Sequence, residues 1–145
     1  MLPELNQDGN LPEGIHLATE EEVLVRFATS SARRRWLGEQ LQNLLGVAKS
    51  TERLHRAFLW GSFVTSKESP NDLDILLVMT GDFTVDALPE KSRVLFDYTD
   101  ARLRFHADVF WTKASIDAGI LALWLDTYQV GKDFKRRGIV EIRLS

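Results

Sequence analysis

The stretch Arg56–Met79, RAFLWGSFVTSKESPNDLDILLVM, decides the reading of the fold. Its first apolar run, Ala57-Phe58-Leu59-Trp60, stops at Gly61-Ser62, and a second run, Ile75-Leu76-Leu77-Val78-Met79, follows Asp72-Leu73-Asp74. Short continuous apolar runs bounded by turn residues fit strands buried on both faces. A period of two puts Asp72 and Asp74 on one side of the second strand and Leu73 on the other. Two carboxylates side by side repel unless a cation lies between them or one takes a proton. Such oxygen ligands suit Mg²⁺, which takes one or two carboxylates and completes its shell with water and substrate phosphate. Gly61 lets backbone approach a ligand closely, and Ser62 offers a hydroxyl and an N–H at the start of a short helix, an arrangement that binds phosphate. The residues also fit a purely structural role, with Asp72 as a cap and Asp74 solvated at the strand end.

Around this centre the chain is of single-domain size. Its 145 residues suffice to bury roughly 70% of the unfolded surface. There is no cysteine, which excludes disulfides, thiolate metal sites and cysteine nucleophiles, and the three histidines show no zinc spacing. A net charge of −3 argues against a nucleic-acid protein that relies on overall positive charge. No apolar run is long enough for a membrane helix, and the start lacks the pattern of a signal peptide, so a cytoplasmic location and no membrane contact are expected.

Residues 1–14, with Pro3, Pro12, Gly9 and Gly14, read as an extended arm. Thr19 followed by Glu22 is a capping box that starts a short helix. A second helix is expected from Ser31 to Lys49, with Trp36, Leu37, Leu41, Leu44, Leu45 and Ala48 as its buried stripe. Arg33-Arg34-Arg35 opposes the dipole in its first turn. These three arginines fit either a solvated basic face or a contact for RNA, a nucleotide or an acidic partner. Pro89-Glu90 opens a helix to about Ala101. Leu103–Trp111 alternates and reads as a strand with Arg104, His106, Asp108 and Phe110 on one side. A helix over Ile116–Gln129, a basic loop with Lys132, Lys135, Arg136 and Arg137, and an edge strand from Ile139 to Leu144 complete the reading.

The order strand, Gly61-Ser62, nine residues, then Asp72-Leu73-Asp74 on a second strand resembles the nucleotidyltransferase superfamily of the DNA polymerase β type. The likeness is to its small single-domain bacterial members, often paired with a toxin. It implies that Gly61 and Ser62 hold a nucleoside triphosphate, with ATP expected. It implies that Asp72 and Asp74 bind two Mg²⁺, and that Asp108 is the third acid. Phe63-Val64-Thr65-Ser66-Lys67 stands where many small members have Ala-Arg-Gly, so Lys67 is the nearest basic side chain for the phosphates.

The expected fold is therefore α/β, more strictly α+β, a single domain over 1–145. It should have a mixed sheet of about four or five strands, with helices mainly on one side. The expected activity is transfer of a nucleoside monophosphate to a hydroxyl of a protein or RNA acceptor. The alternative is an antitoxin-like binding protein that keeps the fold without the activity. A toxin-like partner is implied in either case, and a homo-oligomer is compatible with both. The opening LPEGIHLATEEEVLVRFATSSARRRWL also resembles that of a group of small bacterial proteins without a settled activity.

Overall fold

The computed structural model describes residues 1–144. Five strands form one mixed sheet: β1 (Ile15–Thr19), β2 (Leu54–Trp60), β3 (Leu73–Met79), β4 (Ala107–Lys113) and β5 (Ile139–Arg143), in the order β1-β5-β2-β3-β4. The outer pairs β1–β5 and β3–β4 are parallel, and β5–β2 and β2–β3 are antiparallel. The α+β expectation with a mixed sheet holds. The edge assignment of the final strand does not, because β5 lies inside the sheet, with Ile139 and Val140 fully buried. The edge on that side is β1, whose residues the sequence reading took only as a lead into the first helix, and the other edge is β4.

Five helices flank the sheet: α1 (Glu20–Phe27), α2 (Ala32–Ser50), α3 (Glu90–Arg93), α4 (Tyr98–Phe105) and α5 (Ala118–Tyr128). The Thr19–Glu22 capping box closes α1 as expected, each partner bonding the other's backbone at 3.1 Å. Leu37, Leu41, Leu44, Leu45 and Ala48 of α2 are fully buried with Ala57, Leu59, Ile75 and Leu77 of the sheet. Trp36 departs from the expected stripe: it is 38% exposed and packs edge-on against His106. α5 covers the other face, where Leu125 meets Phe58, Leu76, Val78 and Ile139. The outward side of α5 leaves Ile120 and Leu123 exposed.

Two segments differ from expectation. The arm is packed on its own domain: Leu2 and Leu11 are buried, Arg26 binds the carbonyls of Leu2 and Pro3, and Ser66 N–H donates to Gly9 O. The stretch read as one strand from Leu103 begins with helix. Asp97 caps α4 by accepting from Asp100 N–H at 2.9 Å, Ala101 and Phe105 form its buried pair, and Leu103 is 82% exposed. His106, at φ 54°, ends the helix in the left-handed region. Leu103 and Phe105 mimic strand alternation, but Ala101 and Phe105 obey the helical i, i+4 spacing.

Candidate active site

Asp72 precedes β3, and Asp74 is its second residue. Asp74 pairs in register with Trp60 of β2 on one side and with Asp108 of β4 on the other. Residues opposite one another in a sheet share a face, so the three aspartates meet on the face that carries α5. One carboxylate oxygen from each lies within 4.8 Å of the other two. The grouping of these three residues, which the resemblance implied, is thus matched by their proximity. The sequence pattern placed Arg104 and His106 beside Asp108, and both belong elsewhere. Arg104 lies in the last turn of α4, and His106 Nε2 lies 3.3 Å from Arg33 Nη2.

Gly61 lies against this cluster with φ 84° and ψ −165°, a region open essentially to glycine alone. A Cβ there would collide with Asp74 Oδ2. Ser62–Val64 then makes one 3-10 turn. The turn and the first two aspartates border a cleft of about 630 Å³, and Ser62, Lys67 and Asn71 line that wall. The opposite wall is the loop after α5, which contributes Lys132, Lys135 and Arg137. Arg136 points away and pairs with Glu13 and Asp126. Asp108 is not part of the cleft wall. It lies on the far side of the cluster, where Tyr98 OH donates to its Oδ1 at 2.8 Å.

The Arg33–Arg35 triplet takes neither of its expected roles as a unit. Arg34 is 3% exposed and its guanidinium binds carbonyls of Phe27, Ser62, Phe63, Thr65 and Lys67. Arg33 binds the carbonyls of Pro70 and Asn71, next to Asp72. Both ends of the segment between Gly61 and Asp72 are thus tied to the start of α2. The carbonyls at 62, 63, 65 and 67 turn inward to the guanidinium.

Arg102 is the site residue the sequence reading missed altogether. Its Nη1 donates to Asp72 Oδ2 at 3.2 Å and to Asp108 Oδ1 at 2.5 Å. Tyr98 and Arg102 stand four apart on one face of α4, the spacing that makes helical neighbours. Reading 103–105 as strand hid that spacing.

A family model matches residues 3–143. The chain belongs to that family of unknown function, DUF6932. No curated protein and no solved structure matches it. In this DUF6932 chain, no helix among the described residues is long and apolar enough to cross a membrane.

Charge at the DUF6932 site is unbalanced. Burial pushes the Asp74 carboxyl up to about 7, and the neighbouring Asp72 and Asp108 push the same way, while Lys132 opposes. Unfolded, Asp74 would titrate near 3.9. The folded protein therefore keeps a proton that the unfolded chain gives up between about pH 4 and 7. Stability is fullest below this window and falls as pH rises through it. Asp74→Asn is expected to flatten that fall and to stabilise the metal-free protein at pH 8 by roughly 2 kcal/mol, below the full linkage value because the cluster is partly solvated. Urea titrations in EDTA at pH 5 and pH 8 measure it. An unchanged pH slope in the variant would remove Asp74 as the source.

Proposed function

We propose that the protein is a minimal nucleotidyltransferase, moving a nucleoside monophosphate from a nucleoside triphosphate, ATP first, to a hydroxyl on a protein or RNA acceptor. The observation that carries this reading is the meeting of Asp72, Asp74 and Asp108 within 4.8 Å, with Asp72 and Asp74 on the wall of a cleft that also carries Gly61, Ser62 and three cationic side chains of the facing loop. The donor set fits Mg²⁺: all three groups are carboxylates, and one oxygen of each lies within 4.8 Å of the others. Two Mg²⁺ bound there would neutralise phosphate charge and favour ionisation of the attacking hydroxyl.

The roles are those the resemblance implies. Asp72 and Asp74 would hold both ions and Asp108 the one on the acceptor side. Gly61 leaves room for phosphate against the turn, and the Ser62 hydroxyl and Lys67 would bind the β- and γ-phosphates. Lys132 and Arg137 face them across the cleft and add the charge that Lys67 alone, a point charge without arginine's fork, supplies only in part. The triphosphate cleft and Asp108 lie on opposite sides of Asp74. Entering and leaving oxygens of an in-line displacement need that separation. The acceptor docks at the Tyr98–Phe110 side, where both rings are exposed.

Calorimetry with ATP, GTP, CTP and UTP, with and without Mg²⁺, tests the reading. Micromolar binding that requires Mg²⁺ is expected, with a loss of at least tenfold, ~1.4 kcal/mol, in Asp72→Ala/Asp74→Ala. No binding of any triphosphate by the folded protein would sink it. A second reading is favoured by the exposed apolar side of α5, at Ile120 and Leu123: a binding protein that pairs, antitoxin-like, with a second protein and turns over no nucleotide. Scattered apolar residues are ordinary, but a helix without a charge before Asp126 is normally covered. Triphosphate binding separates the two readings.

A further inference from the structure

The carboxylate cluster already holds a cation, the Arg102 guanidinium. It reaches Asp72 Oδ2 and Asp108 Oδ1 through one nitrogen, Nη1, so it spans two acids of the trio without using the planar fork that makes arginine–carboxylate pairs strong. The Arg102 side chain is 46% exposed, against 21% for each carboxylate partner. Its helix, α4, ends three residues later at Phe105. A side chain held by one nitrogen, on an exposed stem, can swing into water without any backbone change. Tyr98 OH shares the same Asp108 oxygen, so that carboxylate stays oriented when Arg102 leaves.

We propose that Arg102 is a resident counter-cation that competes with the divalent ion for Asp72 and Asp108. The inference rests on the metal reading given above and adds a rule to it. In the free protein the place between the two carboxylates is taken by a single positive charge, and the site accepts a divalent ion only as the guanidinium withdraws. Metal affinity in the absence of substrate is thereby kept low. A substrate triphosphate, which brings negative charge of its own to the cleft, gives the ion and the displaced arginine additional partners and favours the exchange. Arg102 is a positioning residue in this scheme, since it acts through the metal ligands and touches no reacting atom.

The competition makes the stability of an Arg102 variant cross that of the wild type as metal is added. Full-length wild type, Arg102→Ala and Asp72→Ala/Asp74→Ala are titrated with Mg²⁺ and, separately, with Mn²⁺, and thermal midpoints are followed at fixed pH. Without metal, Arg102→Ala should melt below the wild type, because Asp72 and Asp108 have lost their counter-charge. With metal it should rise to or above the wild type, with an apparent dissociation constant about tenfold lower. The aspartate variant should not respond. Equal or weaker metal binding by Arg102→Ala, or a stability loss that metal fails to restore, would overturn the competition and leave the metal reading standing. Binding by neither protein, with and without ATP, would overturn the metal reading and the competition together. Arg102→Lys, which keeps the charge and loses reach, should fall between wild type and Arg102→Ala, and a Lys variant as metal-avid as Ala would also count against the competition.

Discussion

Replacing Arg34 by methionine is expected to lower the unfolding free energy by about 3–5 kcal/mol, the sum of two or three buried carbonyls left without a donor. Arg34 has no carboxylate to balance it. Its charge is met by carbonyl dipoles: Nε on Lys67 O at 3.1 Å, Nη1 on Phe27 O at 2.9 Å and Phe63 O at 2.8 Å, and Nη2 on Thr65 O and Lys67 O, both at 2.6 Å. Desolvation lowers the guanidinium pKa, as burial of a cation must. Methionine matches the stem, but it strands the buried carbonyls of Phe27, Phe63 and Thr65, and each such group costs about 1–3 kcal/mol. Arg34→Lys keeps a charge and three donors and should lose less. Arg35→Met is the control: an exposed neighbour in the same turn, expected within about 0.5 kcal/mol of wild type. Urea midpoints at one pH compare all four proteins. A loss below about 1 kcal/mol in Arg34→Met would mean that the loop finds other partners, and the argument for a carbonyl cage would fail.

The second large effect is at Gly61. Gly61→Ala should destabilise by about 2–4 kcal/mol, from a backbone conformation that alanine rarely adopts and from overlap with Asp74. The two causes can be separated. A Cβ at position 61 collides with Asp74 Oδ2 but lies 3.5 Å from the Asp74 Cβ, an ordinary van der Waals contact. In an Asp74→Ala background only the backbone cost remains, so Gly61→Ala should cost at least about 1 kcal/mol less there than in wild type. Chemical denaturation of the four proteins of the cycle measures the coupling. Strict additivity would show that the turn and the carboxylate do not touch in solution.

What could be read from the sequence was what local periodicity encodes. The alternation of Asp72-Leu73-Asp74 put two carboxylates on one side of a strand, and that of Leu103 to Trp111 put Asp108 on one side of another; only the resemblance joined the third acid to the first two. The Thr19–Glu22 box and the leucines of α2 were equally plain, since caps and stripes are properties of one element. Arg34 was not readable in this way. Its acceptors come from residue 27 and from residues 62 to 67, and no pattern within α2 announces carbonyls arriving from elsewhere. The one hint was energetic: three arginines in the first turn of a helix are unfavourable unless something compensates. Arg102 was lost for another reason. Leu103-Arg104-Phe105 satisfies both a strand and a helix pattern over so short a run, and the strand reading moved Tyr98 and Arg102 away from the acid they hold. Strand order lies beyond local pattern altogether, since nothing in Ile139–Leu144 says which neighbours it will find.

The inner position of β5 sets the order in which the molecule can be assembled in time. β1 and β2 are not hydrogen-bonded to one another; residues 139–143 lie between them. During synthesis, everything up to Gly138 can emerge while the slot is still open. Until it closes, β1 and β2 each show a bare row of amides and carbonyls, and Ala57 and Leu59 lack their neighbours Ile142 and Val140. Such rows are templates for pairing with any other extended chain. Filling the slot pairs Ile139 with Ile15, 124 positions away, and Ile142 with Ala57, 85 positions away, and such distant pairing makes it a slow step. The nascent protein is thus most exposed to misassembly just before its last strand arrives, with the carboxylate-bearing pair β3–β4 free to form while the other half of the sheet waits.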